Sequence, residues 1–250
     1  MRSTHRRLVT AGLVAVTAVA LGGCGFGFGP RSTATDTATI GAADAAEITS
    51  VRLDLEAGSV TLRGDAGASE VSIERTLDYT GSLPGGQTHR VEDGVLVLSG
   101  CGRRCSANYS VDLPAGLPVT GETSHGSIVL DSTGRVDVRT SNGSLTLSGI
   151  DAKIDARTSN GAITGTRLGG TDGVVVETSN GSIDLSLASP QDVRATTDNG
   201  RVLLTVPEGG YRVHAQTDLG GTDVSVPDDP DAEFELAATS SNGRVTVTHG

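Results

Sequence analysis

The residues best suited to chemistry are charged side chains that recur one repeat apart in alternating stretches of the chain. Arg139 and Arg157 occupy equivalent positions, and Glu177 follows in the next repeat. Asp137 and Asp155 are aligned in the same way. Carboxylates beside a basic residue could perform the acid–base chemistry of a polysaccharide hydrolase or lyase. Stacked opposite charges also form ordinary cross-strand pairs worth about 0.2–1 kcal/mol. We identify Arg139, Arg157 and Glu177 as a candidate binding face, with catalysis as the alternative.

The rest of the sequence offers no second set of residues for catalysis or for binding a metal or cofactor. None of the five histidines is spaced with cysteine, aspartate or another histidine as a metal site requires. There is no nucleophile elbow, phosphate-binding glycine loop or calcium-binding β-roll repeat. Aromatic residues, which serve as platforms for sugar rings, make up 2% of the chain and include no Trp. We therefore predict no catalytic residues, no metal and no cofactor.

A four-residue phrase recurs through the second half of the chain. Thr-Ser-Asn-Gly stands at 140–143, 158–161 and 178–181. Related sequences stand at 123–126, 197–200, 217–220 and 240–243. The steps between the final glycines are 17, 18, 20, 19, 20 and 23 residues. A period near 20 residues is typical of an array in which each repeat stacks on its neighbours.

Each copy of the phrase lies between two short alternating segments, which predicts an all-β fold. Val136 and Val138 precede the phrase at 140–143, and Leu145 and Leu147 follow it. Period-two alternation places such aliphatics on one face and polar residues on the other. Asn-Gly could be the turn of an antiparallel β-hairpin or the corner of a parallel β-solenoid with about 20 residues per coil. Near-identity at the phrase favours the solenoid, because stacked corners must match whereas hairpin turns can vary.

Stacking also predicts a ladder of asparagine side chains along one corner. Asparagines at equivalent positions can bond to one another through their amides, and glycine tolerates the backbone of a tight corner. The expected ladder consists of Asn142, Asn160, Asn180, Asn199 and Asn242. His125 and Leu219 stand where asparagine would be expected. We therefore expect the ladder to be interrupted at both of these positions.

Residues 1–23 have the features of an export signal. Three arginines precede an apolar stretch that is too short for a comfortable membrane span. The segment ends in Leu21-Gly22-Gly23-Cys24 and closely resembles the bacterial lipoprotein signal. The resemblance implies cleavage before Cys24 and its acylation by a diacylglyceryl group and a fatty acid such as palmitate, which together give stable membrane anchoring. An ordinary secretory signal or an uncleaved anchor is the alternative.

The chain from Cys24 onwards divides into a tether and one domain. Residues 24–46 are rich in small and polar residues, which predicts a flexible tether. Residues 47–250 form the predicted β-strand-repeat domain, with its best-defined repeats at 119–250. The net charge of −11 becomes more negative when the signal arginines are removed, which argues against nucleic acid as a partner. We expect a domain held by its lipid on the extracytoplasmic side of the cell membrane.

Two cysteines remain once Cys24 is assigned to the lipid. Cys101 and Cys105 make an even pair in an exported protein, where disulfides persist. We predict a disulfide that closes the small loop 102–104. A redox-active pair would need Cys-x-x-Cys spacing at the start of a helix, and the spacing here is one residue longer.

The repeats resemble those of a known family. Thr-Ser-Asn-Gly-x-Ile/Leu units after Leu113-Pro114-Ala115-Gly116 are similar to the bacterial putative-adhesin β-strand-repeat family, a family of unknown function in envelope proteins. The resemblance is best over 109–250 and looser over 48–108. It implies a right-handed β-helix-like fold and no particular reaction.

These observations leave three functional hypotheses. The first is a non-catalytic envelope lipoprotein whose rigid array presents a surface to an unknown protein or glycan. The second is a carbohydrate-active β-helix enzyme, which would release sugar from an envelope polymer. The third is a structural or envelope-stress accessory protein, which the sequence does not separate from the first.

Overall fold

The computed structural model describes residues 17–19 and 31–250, and nearly all of its regular structure is β-strand. The short α1 (Ala42–Ala45) is the one helix among these residues, and none of them forms an apolar helix long enough to span a membrane. Cys24, and the predicted signal segment apart from 17–19, lie outside the described residues. The fold class is therefore all-β, as the alternating pattern predicts.

The strands, numbered in chain order, form two sheets. Sheet A contains β1 (Thr17–Val19), β2 (Arg31–Ile40), β4 (Val60–Asp65), β5 (Val71–Thr80), β8 (Cys105–Pro114), β10 (Ile128–Asp131), β12 (Leu145–Ser148), β14 (Ile163–Leu168), β16 (Ile183–Leu187), β18 (Val202–Val206), β20 (Thr222–Val224) and β22 (Val245–His249). Sheet B contains β3 (Ser50–Ala57), β6 (His89–Glu92), β7 (Val95–Ser99), β9 (Val119–His125), β11 (Val136–Asn142), β13 (Ile154–Asn160), β15 (Val174–Asn180), β17 (Val193–Asn199), β19 (Tyr211–Leu219) and β21 (Phe234–Asn242).

The repeats pair in parallel from one to the next. In each repeat the strand before the phrase lies in sheet B and the strand after it lies in sheet A. We call two such consecutive strands a rung, and we use the same word for β3/β4 and β7/β8, which precede the repeats. Equivalent residues of adjacent rungs are in register, as Val136 with Ile154 and Leu145 with Ile163 show. Because β11 and β12 lie in different sheets, Asn142-Gly143 joins two sheets and does not turn an antiparallel hairpin. The hairpin alternative is therefore wrong for these repeats.

The core lies between the two sheets and consists of aliphatic side chains. In rung β11/β12, Val136, Val138, Leu145 and Leu147 are completely buried, whereas the alternate residues Asp137 and Thr146 lie on the outer faces. Each such side chain contributes about 1.5–3 kcal/mol on burial. The binary pattern of the sequence thus sets which face of each strand is internal.

The N-terminal part of the molecule departs from the parallel pattern. Strand β2 pairs antiparallel with β5, β5 pairs antiparallel with β8, and β6 pairs antiparallel with β7. The flexible tether predicted for 24–46 is wrong over 31–46, because β2 pairs along its whole length and α1 follows it. The segment is rich in small and polar residues, but Ala34, Ala38 and Ile40 alternate with threonines and are buried. The alternation therefore forms a strand in spite of the composition.

The order of the rungs in space differs from their order in the chain at both ends. Rung β3/β4 lies between β7/β8 and β9/β10. Rung β21/β22, the last in the sequence, lies between β17/β18 and β19/β20. The terminal rung of the array is therefore β19/β20. Simple stacking in sequence order holds only from β9 to β18.

The predicted disulfide is confirmed. Cys101 and Cys105 are bonded, with their Cα atoms 5.6 Å apart. The bond closes the turn that joins β7 in sheet B to β8 in sheet A. Because the closed loop is so short, the bond removes little chain entropy and mainly holds this corner of the molecule in shape.

Candidate functional site

The recurring phrase forms the corner at which the chain crosses from sheet B to sheet A. Its asparagines are joined side chain to side chain, each Nδ2 donating to the Oδ1 of the asparagine on the adjacent rung. The bonds from Asn160 to Asn142, Asn180 to Asn160, Asn199 to Asn180 and Asn242 to Asn199 are 3.2, 3.2, 3.1 and 3.2 Å long. The structure thus brings the five asparagines of the expected ladder into one column.

The two exceptions to the phrase lie at the ends of this column. His125 is in register with Asn142, and Leu219 is in register with Asn242. The interruption expected at Leu219 does not occur, because rung β21/β22 is inserted before the rung that carries it. The column is therefore an unbroken run of asparagines bounded by one imidazole and one leucine.

The threonine of the phrase has a role that the sequence analysis did not identify. Thr178 is buried, and its Oγ1 donates to the carbonyl oxygen of Gly161 over 2.9 Å. Equivalent bonds run from Thr140, Thr158, Thr197, Thr217 and Ser240 to the corner glycine of the adjacent rung. The sequence feature that could have indicated this role is the hydroxyl residue, Thr or Ser, at the first position of every copy of the phrase. These bonds satisfy a backbone acceptor inside the corner.

The glycine of the phrase is required by close approach of the backbone. A Cβ atom on Gly181 would lie 2.0 Å from the carbonyl oxygen of Gly161. The same contact, at 2.0–2.1 Å, faces Gly143, Gly161 and Gly200. No side chain fits there, so the corners of adjacent rungs stack through bare backbone. Hydroxyl, amide and glycine together make this edge of the array rigid.

The candidate binding face lies on the outer surface of sheet B, beside this corner. Glu122, Arg139, Arg157 and Glu177 are in register on four adjacent strands and form a column that crosses the sheet. The parallel column two residues further on consists of Ser124, Ser141, Ser159 and Ser179. Both columns line a shallow depression of about 310 Å³. The structure therefore brings the three predicted face residues together and adds Glu122.

The two arginines of this face differ in how strongly they are paired. Arg157 lies 2.8 Å from a carboxylate oxygen of Asp155 and 3.4 Å from one of Glu177, and its side chain is 33% exposed. Arg139 makes one ion pair among the described residues, with Asp137 at 3.9 Å, and its side chain is 55% exposed. Arg139 is thus the guanidinium available to a ligand, whereas Arg157 holds the acidic residues in place.

The charge of the face favours some ligands over others. Four carboxylates, on Glu122, Asp137, Asp155 and Glu177, surround two guanidinium groups. The excess negative charge repels polyanions. Hydroxyl groups of the serine column can instead donate and accept hydrogen bonds with neutral polar groups, and the Arg139 guanidinium can donate them. The arrangement can bind an extended neutral or weakly charged chain along the direction of stacking.

A second polar cluster lies inside the N-terminal region. Asp36 on β2 and Arg75 on β5 form a bidentate ion pair, and Arg75 also donates to Thr88 over 2.8 Å. The Tyr109 hydroxyl lies 2.9 Å from the carbonyl oxygen of Thr88. Burial raises the pKa of Tyr109. These groups satisfy one another, so we assign the cluster to holding β2 on the sheet.

His89 packs against the same cluster. It is 8% exposed, and its Nδ1 has no hydrogen-bond partner among the described residues. Burial lowers the pKa of His89, and the neighbouring Arg75 guanidinium lowers it further. Burial and the Arg75 charge thus both favour the neutral imidazole. No group of three or more His, Cys, Asp or Glu side chains within 31–250 is arranged to hold a metal ion.

Comparison with known proteins gives little further information. No family model matches the chain, and no curated protein matches it. A crystal structure of a putative cell adhesion protein from Clostridium sporogenes is similar over 86% of this chain and 99% of that one, with 12% identity and a TM-score of 0.39. This is a distant likeness, and it supports no assignment of fold or function for this chain.

Proposed function

We propose that this protein is a non-catalytic lipoprotein of the bacterial envelope whose sheet B binds an extended partner, a glycan or a protein. The observation that carries the proposal is the alignment of Glu122, Arg139, Arg157 and Glu177 beside a column of serines on a rigid surface. A polymer that lies along the array would meet one serine and one charged side chain on each of these four rungs.

The rigidity of the corner supports a binding role. The ladder amides, the buried threonine hydroxyls and the close glycine contacts fix the spacing of the rungs. A preformed polar surface loses little conformational entropy when a ligand binds, which favours affinity. We also propose that the two sheets are sides of one right-handed parallel β-solenoid with about 20 residues per coil. An experimental structure would test the hand directly.

The proposed anchor rests on the Leu-Gly-Gly-Cys sequence and places the domain close to the membrane. Strand β2 begins at Arg31, so the chain from Cys24 can reach at most about 25 Å. The Cys101–Cys105 disulfide is in keeping with an oxidising compartment outside the cytoplasm. Mass spectrometry of the protein from cells tests the anchor: Cys24 as the acylated N-terminus is expected, and an intact residue 1–23 segment would contradict it.

Co-sedimentation of the full chain with insoluble envelope polysaccharide tests the binding proposal. Arg139→Ala should weaken binding by about tenfold or more, because one charge-assisted hydrogen bond is worth roughly 1.5–3 kcal/mol. Arg63→Ala is the matched control: it removes the same charge from sheet A, where the side chain is 57% exposed and also paired with one carboxylate.

The outcomes separate the alternatives. Binding that Arg139→Ala weakens and Arg63→Ala does not supports a glycan-binding face on sheet B. Equal losses in the two variants would reject this face. Release of sugar into the supernatant would show an enzyme and overturn the non-catalytic assignment. If no glycan fraction sediments the protein, crosslinking through Arg139→Cys in cells tests a protein partner at the same surface.

A further inference from the structure

The outer edge of β19 is an unpaired strand edge at the C-terminal end of the array. Within 31–250, β21 is the one strand that pairs with β19, and β22 is the one strand that pairs with β20. One isolated bridge also joins Tyr211 of β19 to Asp228. Leu219, at the end of β19, is 70% exposed, and Val224 on β20 is 42% exposed. An exposed strand edge beside apolar side chains is a template for pairing with another chain.

The first half of this edge is protected and the second half is not. Asp228 accepts a hydrogen bond from the backbone N–H of Val213 over 2.8 Å, and the N–H of Asp229 donates to the carbonyl oxygen of Tyr211 over 2.9 Å. The loop after β20 therefore covers the edge at 211–213. No described segment covers it at 215–219.

These two bonds also show which backbone groups face outward. In a strand, the N–H and C=O of one residue point to the same side, and the side alternates from residue to residue. Since Tyr211 and Val213 point their groups away from β21, the groups of Ala215 and Thr217 point away from it as well. Those two residues can therefore exchange hydrogen bonds with a strand outside the described chain.

The edge is complementary to itself. If two copies pair antiparallel about Gln216, Ala215 of each copy lies opposite Thr217 of the other, and these residues carry the outward backbone groups. His214 then lies opposite Asp218, and Gln216 lies opposite Gln216. Val213 stays outside this pairing, because its backbone N–H is already bonded to Asp228. The side-chain pairs join compatible chemistry: imidazole with carboxylate, and amide with amide.

We propose that the outer edge of β19 is a self-association surface, in which two copies of this chain pair antiparallel about a two-fold axis at Gln216. A two-fold axis makes the same patch serve both partners. The free strand segment at 214–218 is short, so the pairing is expected to be weak and concentration-dependent. A lipid anchor would raise the local concentration of copies, but the pairing does not require it.

Cysteine crosslinking of the full chain tests this register. Gln216 of the two copies would form a non-hydrogen-bonded pair, in which Cα atoms are about 4.5 Å apart and a disulfide can form. Gln216→Cys should give a covalent dimer under mild oxidation, at least about tenfold more than Thr239→Cys. Thr239 is the matched control, because it lies beside Gln216 in register on β21, one strand inside the edge. Both variants retain the three native cysteines.

A mixing experiment tests the two-fold relation separately. His214→Cys and Asp218→Cys should each crosslink poorly alone and readily when mixed, because each position faces the other across the axis. Equal dimer from Gln216→Cys and Thr239→Cys, or single variants that crosslink as well as the mixture, would overturn the proposal. In cells, a Gln216→Cys adduct with a different protein and no adduct of twice the mass would overturn the assignment of the partner.

Discussion

The side-chain amide of Asn242 donates to Oδ1 of Asn199 over 3.2 Å, although the two residues are 43 positions apart and the repeat containing Leu219 lies between them in the chain. The last rung of the sequence is inserted beneath the rung before it. This insertion keeps the asparagine column unbroken and moves Leu219 to its end. The bond between Asn242 and Asn199 therefore goes together with β19 being the terminal strand of sheet B.

The asparagine column should contribute measurably to stability. Asn160→Ala removes the bonds to Asn142 and from Asn180, and each exposed hydrogen bond is worth about 0.5–1.5 kcal/mol. We expect a loss of about 1–2 kcal/mol in urea denaturation. Ser159→Ala is the control, because Ser159 directly precedes Asn160 and is exposed. This substitution should change the free energy of unfolding little. Asp155→Ala is unsuitable as a control, since Asp155 pairs with Arg157 at 2.8 Å. Equal stability of the Asn160 and Ser159 variants would refute the contribution of the ladder.

The corner glycines should tolerate no side chain. In Gly181→Ala, the new Cβ would lie 2.0 Å from the carbonyl oxygen of Gly161, so the rungs must separate locally. We expect a loss of about 3 kcal/mol or more, as overpacking of a rigid site produces. In Gly85→Ala, nothing lies within 4 Å of the added Cβ. That variant should melt like the wild type in calorimetry, and a normal melting temperature for Gly181→Ala would contradict the stacked-backbone account.

The buried ion pair should hold β2 on the sheet. Asp36→Asn leaves Arg75 without its counter-charge, and the Arg75 side chain is 9% exposed. Breaking such a pair costs about 3–5 kcal/mol. Asp112→Asn, at an exposed pair with Arg63, should cost less than about 1 kcal/mol. Hydrogen exchange should show faster exchange of the β2 amides in Asp36→Asn alone. If the β2 amides of Asp36→Asn exchanged as slowly as those of the wild type, backbone pairing alone would hold β2 on the sheet.

His89 should make stability depend on pH. Its pKa in the folded protein lies below the ordinary value of 6.5, so the unfolded chain takes up protons first as the pH falls. The stability that neutral His89 provides is present above about pH 6.5 and is lost below it. The melting temperature of wild type should therefore fall more steeply between about pH 7 and pH 5 than that of His89→Gln. Parallel profiles for the wild type and His89→Gln would reject the prediction.

Several features of the structure could be predicted from the chain because they depend on local pattern. The alternation around Val136 and Leu145 determines which side chains face inward. The repeated Asn-Gly indicates stacked corners, and the even pair Cys101 and Cys105 in a chain with an export signal indicates their bond. The face of Arg139, Arg157 and Glu177 also follows, because residues at equivalent positions of parallel strands must become neighbours.

Other features could not be predicted in this way. The composition of 31–46 suggested a flexible segment, but Asp36 meets Arg75 across a sheet, and only the fold brings these residues together. The threonines of the phrase donate to a glycine carbonyl oxygen that lies one rung away. The outer edge of β19 is free because rung β19/β20 is terminal in space, although β21/β22 comes later in the chain. Each of these involves residues that are distant in the chain.

The all-β class, the repeat, the inward faces of the strands and the groups that form the corner therefore follow from the order of residues in the chain. The order of the rungs, the docking of β2 and the position of Leu219 at the end of the column depend on the folded arrangement. Backbone N–H and C=O groups are the same on every strand, so they do not specify which strand becomes a neighbour. The neighbour is selected by packing and hydrogen bonds between side chains that meet only in the folded chain.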